Sequence, residues 1–362
     1  MKRVGIVGTG LVGASIGLSL TRDGVTVLGF DADPARAAAA AERGAITETV
    51  PTVTAAATDV DVVLVAVPVG DVADLVAAAL DAGAPAVTDV GSVKAPIVAA
   101  VEASRPDRAG RFVGGHPMAG SEQGGLDGAD ANLFVGAMWV LTPTERTDAA
   151  VFSTVRRLVA GLGAEVIAVT PAHHDDLVAV VSHVPQLAAT TLMDVAASGG
   201  EEHATLLRLA AGGFRDMTRI AAGDPGIWPD ICVANRDAIV DALDGYVDAL
   251  AGVRALVAGQ DRAGLLDLLE RARAARQRLP VGGAGTEPLV ELRVPVPDRP
   301  AVLAEVTTLA GSMGINISDI DIAHSVEGGG GVLVLLLPVT DLEAFEAALT
   351  DRGYHHSRRV LP

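Results

Sequence analysis

The first thirty-one residues constrain the fold more than any other stretch. Residues 2–8 (KRVGIVG) are a β-branched run ending in glycine, and Leu11–Arg22 places its apolar residues at helical spacing. Between them, Gly8-Thr9-Gly10-Leu11-Val12-Gly13 reads GxGxxG. A second strand, Val25–Phe30, ends in Asp31, 18 positions past the last of these glycines. Few folds accommodate a strand, a glycine turn, a helix and a strand ending in acid. The order is that of a dinucleotide-binding βαβ unit.

Each residue of the fingerprint has a physical task. Gly8 allows the tight turn, Gly10 lets backbone approach a pyrophosphate, and Gly13 lets the helix pack on the strand. Leu11 and Val12 open the helix, whose first N–H groups lack partners and suit a phosphate. Asp31 is placed to accept the ribose hydroxyls, with no arginine directly after it. A 2′-phosphate would be repelled there, so NAD is expected over NADP.

Beyond this unit the pattern continues. Asp61–Val67 is a near-continuous apolar strand of the kind buried in parallel sheets, and Val67 and Pro68 at its end are expected beside the cofactor. Ala86–Val90, Phe112–Gly114, Trp139–Leu141 and Glu165–Val169 read as further strands, which gives a doubly wound α/β domain over residues 1–169. From 170 to 279 the apolar spacing is helical throughout. Residues 280–287 (PVGGAGTE) read as a flexible linker. Residues 288–362 repeat the order βαββαβ, with strands at Leu289–Val296, Ile315–Val326, Gly331–Pro338 and Tyr354–Val360.

Charge narrows the function. The net charge of −18 offers no basic footprint for nucleic acid and disfavours anionic membrane. An anionic substrate must therefore be held by specific arginines. The one cysteine, Cys232, excludes an internal disulfide and a CxxC metal framework. The uncharged stretch Leu177–Met193 contains Ser182, His183, Pro185 and Gln186 and reads as too polar and too short for a bilayer span. With no secretory signal pattern at the N-terminus, a cytoplasmic location is expected. Only Lys2 and Lys94 are lysines among 27 basic residues, so Lys94 stands out, with a solvated surface role as its plain alternative.

Four polar strings rise from the Ala/Val background: Asp89-Val-Gly91-Ser92-Val-Lys94, Gly114-Gly115-His116-Pro117-Met118-Ala119-Gly120-Ser121-Glu122, Ser182-His183-Val-Pro185-Gln186, and Gly213-Phe214-Arg215-Asp216-Met-Thr218-Arg219 with Trp228-Pro229-Asp230 beyond. Two follow predicted strands, where open α/β sheets bind ligands. A histidine in a glycine-rich loop can share the proton of a substrate hydroxyl. His173-His174-Asp175-Asp176 invites a metal reading, but a polar run entering a helix accounts for it, and no metal is expected.

Taken together, these strings resemble the prephenate/arogenate dehydrogenase family of tyrosine biosynthesis over essentially the whole chain, with a C-terminal ACT domain. The resemblance implies NAD-dependent oxidative decarboxylation of prephenate, or of arogenate to give tyrosine directly. It also implies an all-helical dimerisation domain and a homodimer. It assigns His116 as the catalytic histidine and Ser92 as the serine that orients it. Ser121, Glu122, His183, Gln186, Gly212, Asp216, Arg219 and Trp228 fall on the substrate side, Arg219 gripping a carboxylate and Trp228 reaching the neighbouring subunit. Gln186 stands where some members have histidine, and its amide can bond a ketone or an ammonium group.

Pro297–Leu303 and Gly314–Ser318 resemble ACT ligand loops, which implies tyrosine as an effector; Ala301 replaces a frequent glycine there. Two rivals are a non-catalytic NAD-sensing regulator, which would lack His116 and Arg219, and a β-hydroxy acid dehydrogenase. The second usually needs a lysine base in its helical domain, and residues 171–278 contain none.

Overall fold

The computed structural model describes residues 1–120, 124–198, 212–278, 289–297, 299–317, 319–324, 330–338 and 342–360. The expected linker, together with Ser121 and Glu122, lies outside these residues. The chain divides into two compact units, Met1–Ala251 and Gly252–Pro362.

The first unit is built on an eight-stranded sheet of β1 (Arg3–Val7), β2 (Thr26–Phe30), β3 (Glu48–Thr49), β4 (Val62–Val65), β5 (Val87–Asp89), β6 (Phe112–Pro117), β7 (Met138–Thr142) and β8 (Glu165–Ala168). The strand order is β3-β2-β1-β4-β5-β6-β7-β8. Pairing is parallel from β3 to β6, β6 and β7 run antiparallel, and β7 and β8 are again parallel. The strands are apolar on both sides because helices cover both faces. Along β1 and β4, Val4, Ile6, Val62 and Leu64 join one core with Trp139 and Val155. Val7, Val63 and Val65 join the other with Leu80 and Phe112. β3 was not legible in the sequence, since two exposed residues carry no alternation.

The helices of the sheet are α1 (Leu11–Arg22), α2 (Pro34–Glu42), α3 (Val53–Ala56), α4 (Val69–Asp81), α5 (Ala95–Ser104) and α6 (Ala149–Gly161). After β8 come α7 (Pro171–Val178), a π-helical turn at Ala179–His183, and α8 (Val184–Ala197). Further helices span Gly212–Thr218, Trp228–Ala234, Arg236–Ala258 and Arg262–Arg276. No strand occurs among the described residues from 169 to 278. The helical run Pro171–Ala197 is 27 residues long and passes the length and apolarity test for a bilayer span, which corrects the expectation that this stretch is too short. His174, Asp175, His183 and Gln186 within it are buried, and the first three are hydrogen-bonded to other side chains or backbone of the fold, as in the core helix of a packed protein.

In the second unit, β9 (Leu289–Pro297), β10 (Asp319–His324), β11 (Gly330–Pro338) and β12 (Ser357–Val360) form an antiparallel sheet in the order β10-β11-β9-β12. The helices Val302–Ser312 and Leu342–Asp351 complete the βαββαβ order and bury Val306, Leu309 and Phe345 against Leu292, Leu333 and Leu335. The second strand is shorter than expected at Ile315–Val326. Ile315 is buried while Ile320 and Ile322 are 40% and 38% exposed, so the isoleucines do not share one face. An odd-to-even slip between Ile317 and Ile320 breaks the period of two. Tyr354 likewise precedes β12 and buries its ring in the core.

Candidate active site

The fingerprint glycines sit at the C-terminal edge of the sheet, where the strand order reverses between β1 and β4. Gly8 has φ +93°, and a Cβ there would lie 2.2 Å from the Ala66 carbonyl oxygen. A Cβ on Gly13 would lie 1.9 Å from the Gly8 carbonyl oxygen, so helix and turn touch directly. Gly10 has nothing within 4 Å of that position, and as the N-cap of α1 it makes no side-chain bond to the helix start. The first-turn N–H groups at Leu11 and Val12 therefore face an open cradle with no acid in that turn. Half-buried Val67 and exposed Pro68 follow β4 on the same edge. These residues fit a dinucleotide.

Asp31 is 7% exposed and tightly held. One carboxylate oxygen accepts the Thr9 amide (2.8 Å) and hydroxyl (3.0 Å); the other accepts the Asp33 amide (2.9 Å) and the Arg36 guanidinium (3.3 Å). Arg36 escaped the sequence reading because it comes five residues later, one turn into α2. The pairing puts a cation at the ribose end of the cleft.

His116 stands on β6, half-buried, opposite Val140 of β7. Its Nδ1 lies 2.8 Å from Nε2 of His174, with the rings edge to face at 73°. His174 Nδ1 lies 2.7 Å from Oδ1 of Asp175. Asp175 in turn accepts the Lys94 amide at Oδ1 and the Ala95 amide at Oδ2, both at 2.8 Å, and so caps α5. Since a carboxylate only accepts, His174 donates from Nδ1 and accepts at Nε2. His116 then donates from Nδ1, which leaves Nε2 as its basic nitrogen.

Lys94 is fully buried, so the solvated alternative is overturned. Its ammonium group pairs with Asp89 and donates to the Gly115 carbonyl at 2.9 Å. Asp89 also accepts the Gly91 and Gly115 amides, which ties the end of β5 to β6 directly before His116. Burial pushes the Lys94 ammonium below its ordinary value, and Asp89 and Asp175 oppose the shift. Burial likewise holds the His116 imidazole well below the usual histidine range, and a charge there would be repelled further by Lys94 and by any proton shared with His174 or His183. His116 is thereby kept neutral and basic.

His183 is 1% exposed; its Nδ1 faces the Asn235 amide at 3.2 Å, and its ring meets Trp228 edge to face at 6.1 Å. Asn235 also donates to the Asp175 carbonyl at 2.9 Å, linking His183 to the same network. Gln186 is buried on α8. Ser92 is half-buried on the loop after β5, and the partner of His116 Nδ1 is His174 rather than this serine. Gly212, Asp216 and Arg219 lie exposed on Gly212–Thr218 and the turn after it. The structure thus joins His116, His183 and Trp228 through His174 and Asp175, which read in the sequence as a polar run entering a helix, and through Asn235, which no motif marked. The HHDD string carried the signal, with exposed His173 and Asp176 masking an inward pair.

Two family models cover this part of the chain: the nucleotide-binding domain of prephenate dehydrogenase matches residues 16–168, and its dimerization domain matches 170–271. Prephenate dehydrogenase of Bacillus subtilis (strain 168) is 32% identical over 91% of this chain and 90% of its own length. The chain belongs to the prephenate dehydrogenase family. Among solved structures of this family, prephenate dehydrogenase from A. aeolicus in complex with hydroxyphenyl propionate and NAD+ is 32% identical. It covers 77% of this chain and 99% of its own, with a TM-score of 0.71. Synechocystis arogenate dehydrogenase is 31% identical, covers 77% of this chain and 100% of its own, and has a TM-score of 0.67. The prephenate dehydrogenase models end at residue 271, before the C-terminal sheet begins.

Proposed function

We propose that this chain catalyses the NAD-dependent oxidative decarboxylation of prephenate to 4-hydroxyphenylpyruvate. The observation that carries the reading is His116, neutral, with Nδ1 committed to His174 and Nε2 left to accept the proton of the substrate's ring hydroxyl. NAD, when bound, supplies the hydride acceptor. Gly8, Gly10, Leu11, Val12 and Gly13 hold its pyrophosphate, Asp31 its ribose, and Val67 and Pro68 flank it. Loss of CO2 with aromatisation supplies the driving force, so the protein has to orient, anchor and take one proton. Ser92 orients the hydroxyl, and Arg219 grips a carboxylate in a planar fork. His183, Gln186, Gly212, Asp216, Ser121, Glu122 and Trp228 shape the substrate side.

Arogenate is the second reading, supported by buried Gln186, whose amide can bond either a ketone or an ammonium group. NADH formation by the purified protein, measured separately with prephenate and arogenate, decides between them; no NADH from either would overturn the activity.

The protein works as a cytoplasmic homodimer. Val180, Val181, Val195, Met217, Val233 and Val247 on its helices are 58–78% exposed in the single chain and suit an isologous interface. The C-terminal region acts as an ACT-type effector domain for tyrosine. A groove of about 920 Å3 there is lined by Arg299, Ala301, Glu305 and Tyr354. Calorimetric titration of tyrosine into the full chain tests this, and absence of binding leaves the region a structural appendage.

A further inference from the structure

Behind His116 the structure holds a line of proton-carrying groups that the decarboxylation reading does not require. His116 Nδ1, His174 Nε2, His174 Nδ1 and Asp175 Oδ1 form a chain with 2.8 Å and 2.7 Å across its two hydrogen bonds. His174 and Asp175 are 1% and 4% exposed, so water does not compete for these bonds. Asp175 cannot swing away, because both its oxygens cap α5 and Asn235 holds its carbonyl. We infer that His174 and Asp175 form a proton relay: as His116 takes a proton at Nε2 it passes the one on its Nδ1 to Nε2 of His174, and the charge so placed on His174 is held by the Asp175 carboxylate at its Nδ1. The inference rests on the reading of His116 as the base.

The electrostatics favour this resting place. A charge on His116 sits near buried Lys94 and His183 and is poorly solvated, even with Asp89 pairing the lysine. A charge on His174 sits against the carboxylate. The step balances: one O–H bond of the substrate breaks and one N–H forms at His116 Nε2, while the Nδ1 proton moves to His174, which keeps its own Nδ1 proton. His174 touches neither substrate nor cofactor in this scheme. It is a positioning residue that fixes the His116 tautomer and then takes its charge.

The test is the pH profile of kcat for His174→Leu and His174→Gln, with folding checked by thermal melting. Leucine removes acceptor and relay; glutamine keeps an acceptor for His116 Nδ1 but cannot carry the proton onward. In the wild type the acid limb belongs to the pair. In both variants it belongs to His116 alone and moves to lower pH by about one unit or more. We expect kcat to fall by roughly 10–100-fold in the leucine variant and by less in the glutamine variant, with KM within about threefold. An acid limb that stays at its wild-type position in the glutamine variant overturns the relay, and that variant decides alone should leucine not fold. His116→Asn separates the two ideas: wild-type turnover there would overturn the base assignment itself.

Discussion

On the proposed reading, two residues carry separable tasks at the reaction centre. His116→Asn keeps a polar side chain and removes the base, so turnover should fall by roughly 10²–10⁴ with little change in substrate affinity. Arg219→Ala removes ground-state anchoring and should raise KM with a smaller effect on kcat; steady-state kinetics of both variants checks the split. At the other end of the cleft, Asp31 and Arg36 form an ion pair whose outer partner is about half exposed. With Asp31 present, a 2′-phosphate meets the carboxylate first and NAD is preferred. Asp31→Ser releases Arg36 toward that phosphate, and the ratio of kcat/KM for NAD over NADP should fall by about tenfold or more. An unchanged ratio would show that Arg36 does not reach the phosphate.

The helical run from Pro171 to Ala197 illustrates what one element can decide. His174 and His183 are nine residues apart, so a plain α-helix would put them on roughly opposite faces. An i→i+5 turn holds one more residue than an α turn and sets back the next stretch of helix by roughly 100°. The turn at Ala179–His183 therefore lets both histidines point inward. Burial lowers the His183 imidazole to about 4 against an ordinary 6.5, with Asp175 opposing and His174 adding to the shift. The unfolded chain then binds the extra proton between pH 6.5 and 4, so stability contributed by neutral His183 is present above that window and lost as pH falls through it. The loss is on the order of 3 kcal/mol at most. Melting temperatures of wild type and His183→Gln measured from pH 7 to 4 should show a shallower decline in the variant. In the C-terminal unit, Ala301 caps the helix Val302–Ser312 with φ +71°, a left-handed conformation that favours glycine. Ala301→Gly relieves that strain against a looser unfolded chain and should stabilise by about 0.5 kcal/mol net, read as a higher melting temperature.

For the whole molecule, light scattering at micromolar concentration should give twice the chain mass, since the exposed apolar helix positions call for a second copy. A monomer would remove the basis for Trp228 acting across subunits; within one chain that ring already packs on His183. The architecture was legible in the sequence because it rests on local signals. The fingerprint glycines and the apolar runs of β1 and β4 each state their structure within a dozen residues, and the βαββαβ order follows from several such local runs in succession. His116 stood out for the same reason, set in a glycine-rich string, but it lies on β6 itself rather than on a loop after that strand, because β6 runs on to Pro117 in pairing with β7. What sequence could not state was everything that depends on two distant segments meeting. Lys94 stands out in the sequence as one of two lysines, but nothing there decides between a buried and a solvated role until Asp89 and Gly115 close over it. His174 and Asp175 read as the polar start of a helix until packing of α7 on α5 turns them toward His116 and Lys94. Local periodicity determined the sheet and the cofactor turn. Only tertiary contact, by burying charges that must then find partners, decided how the histidine is held.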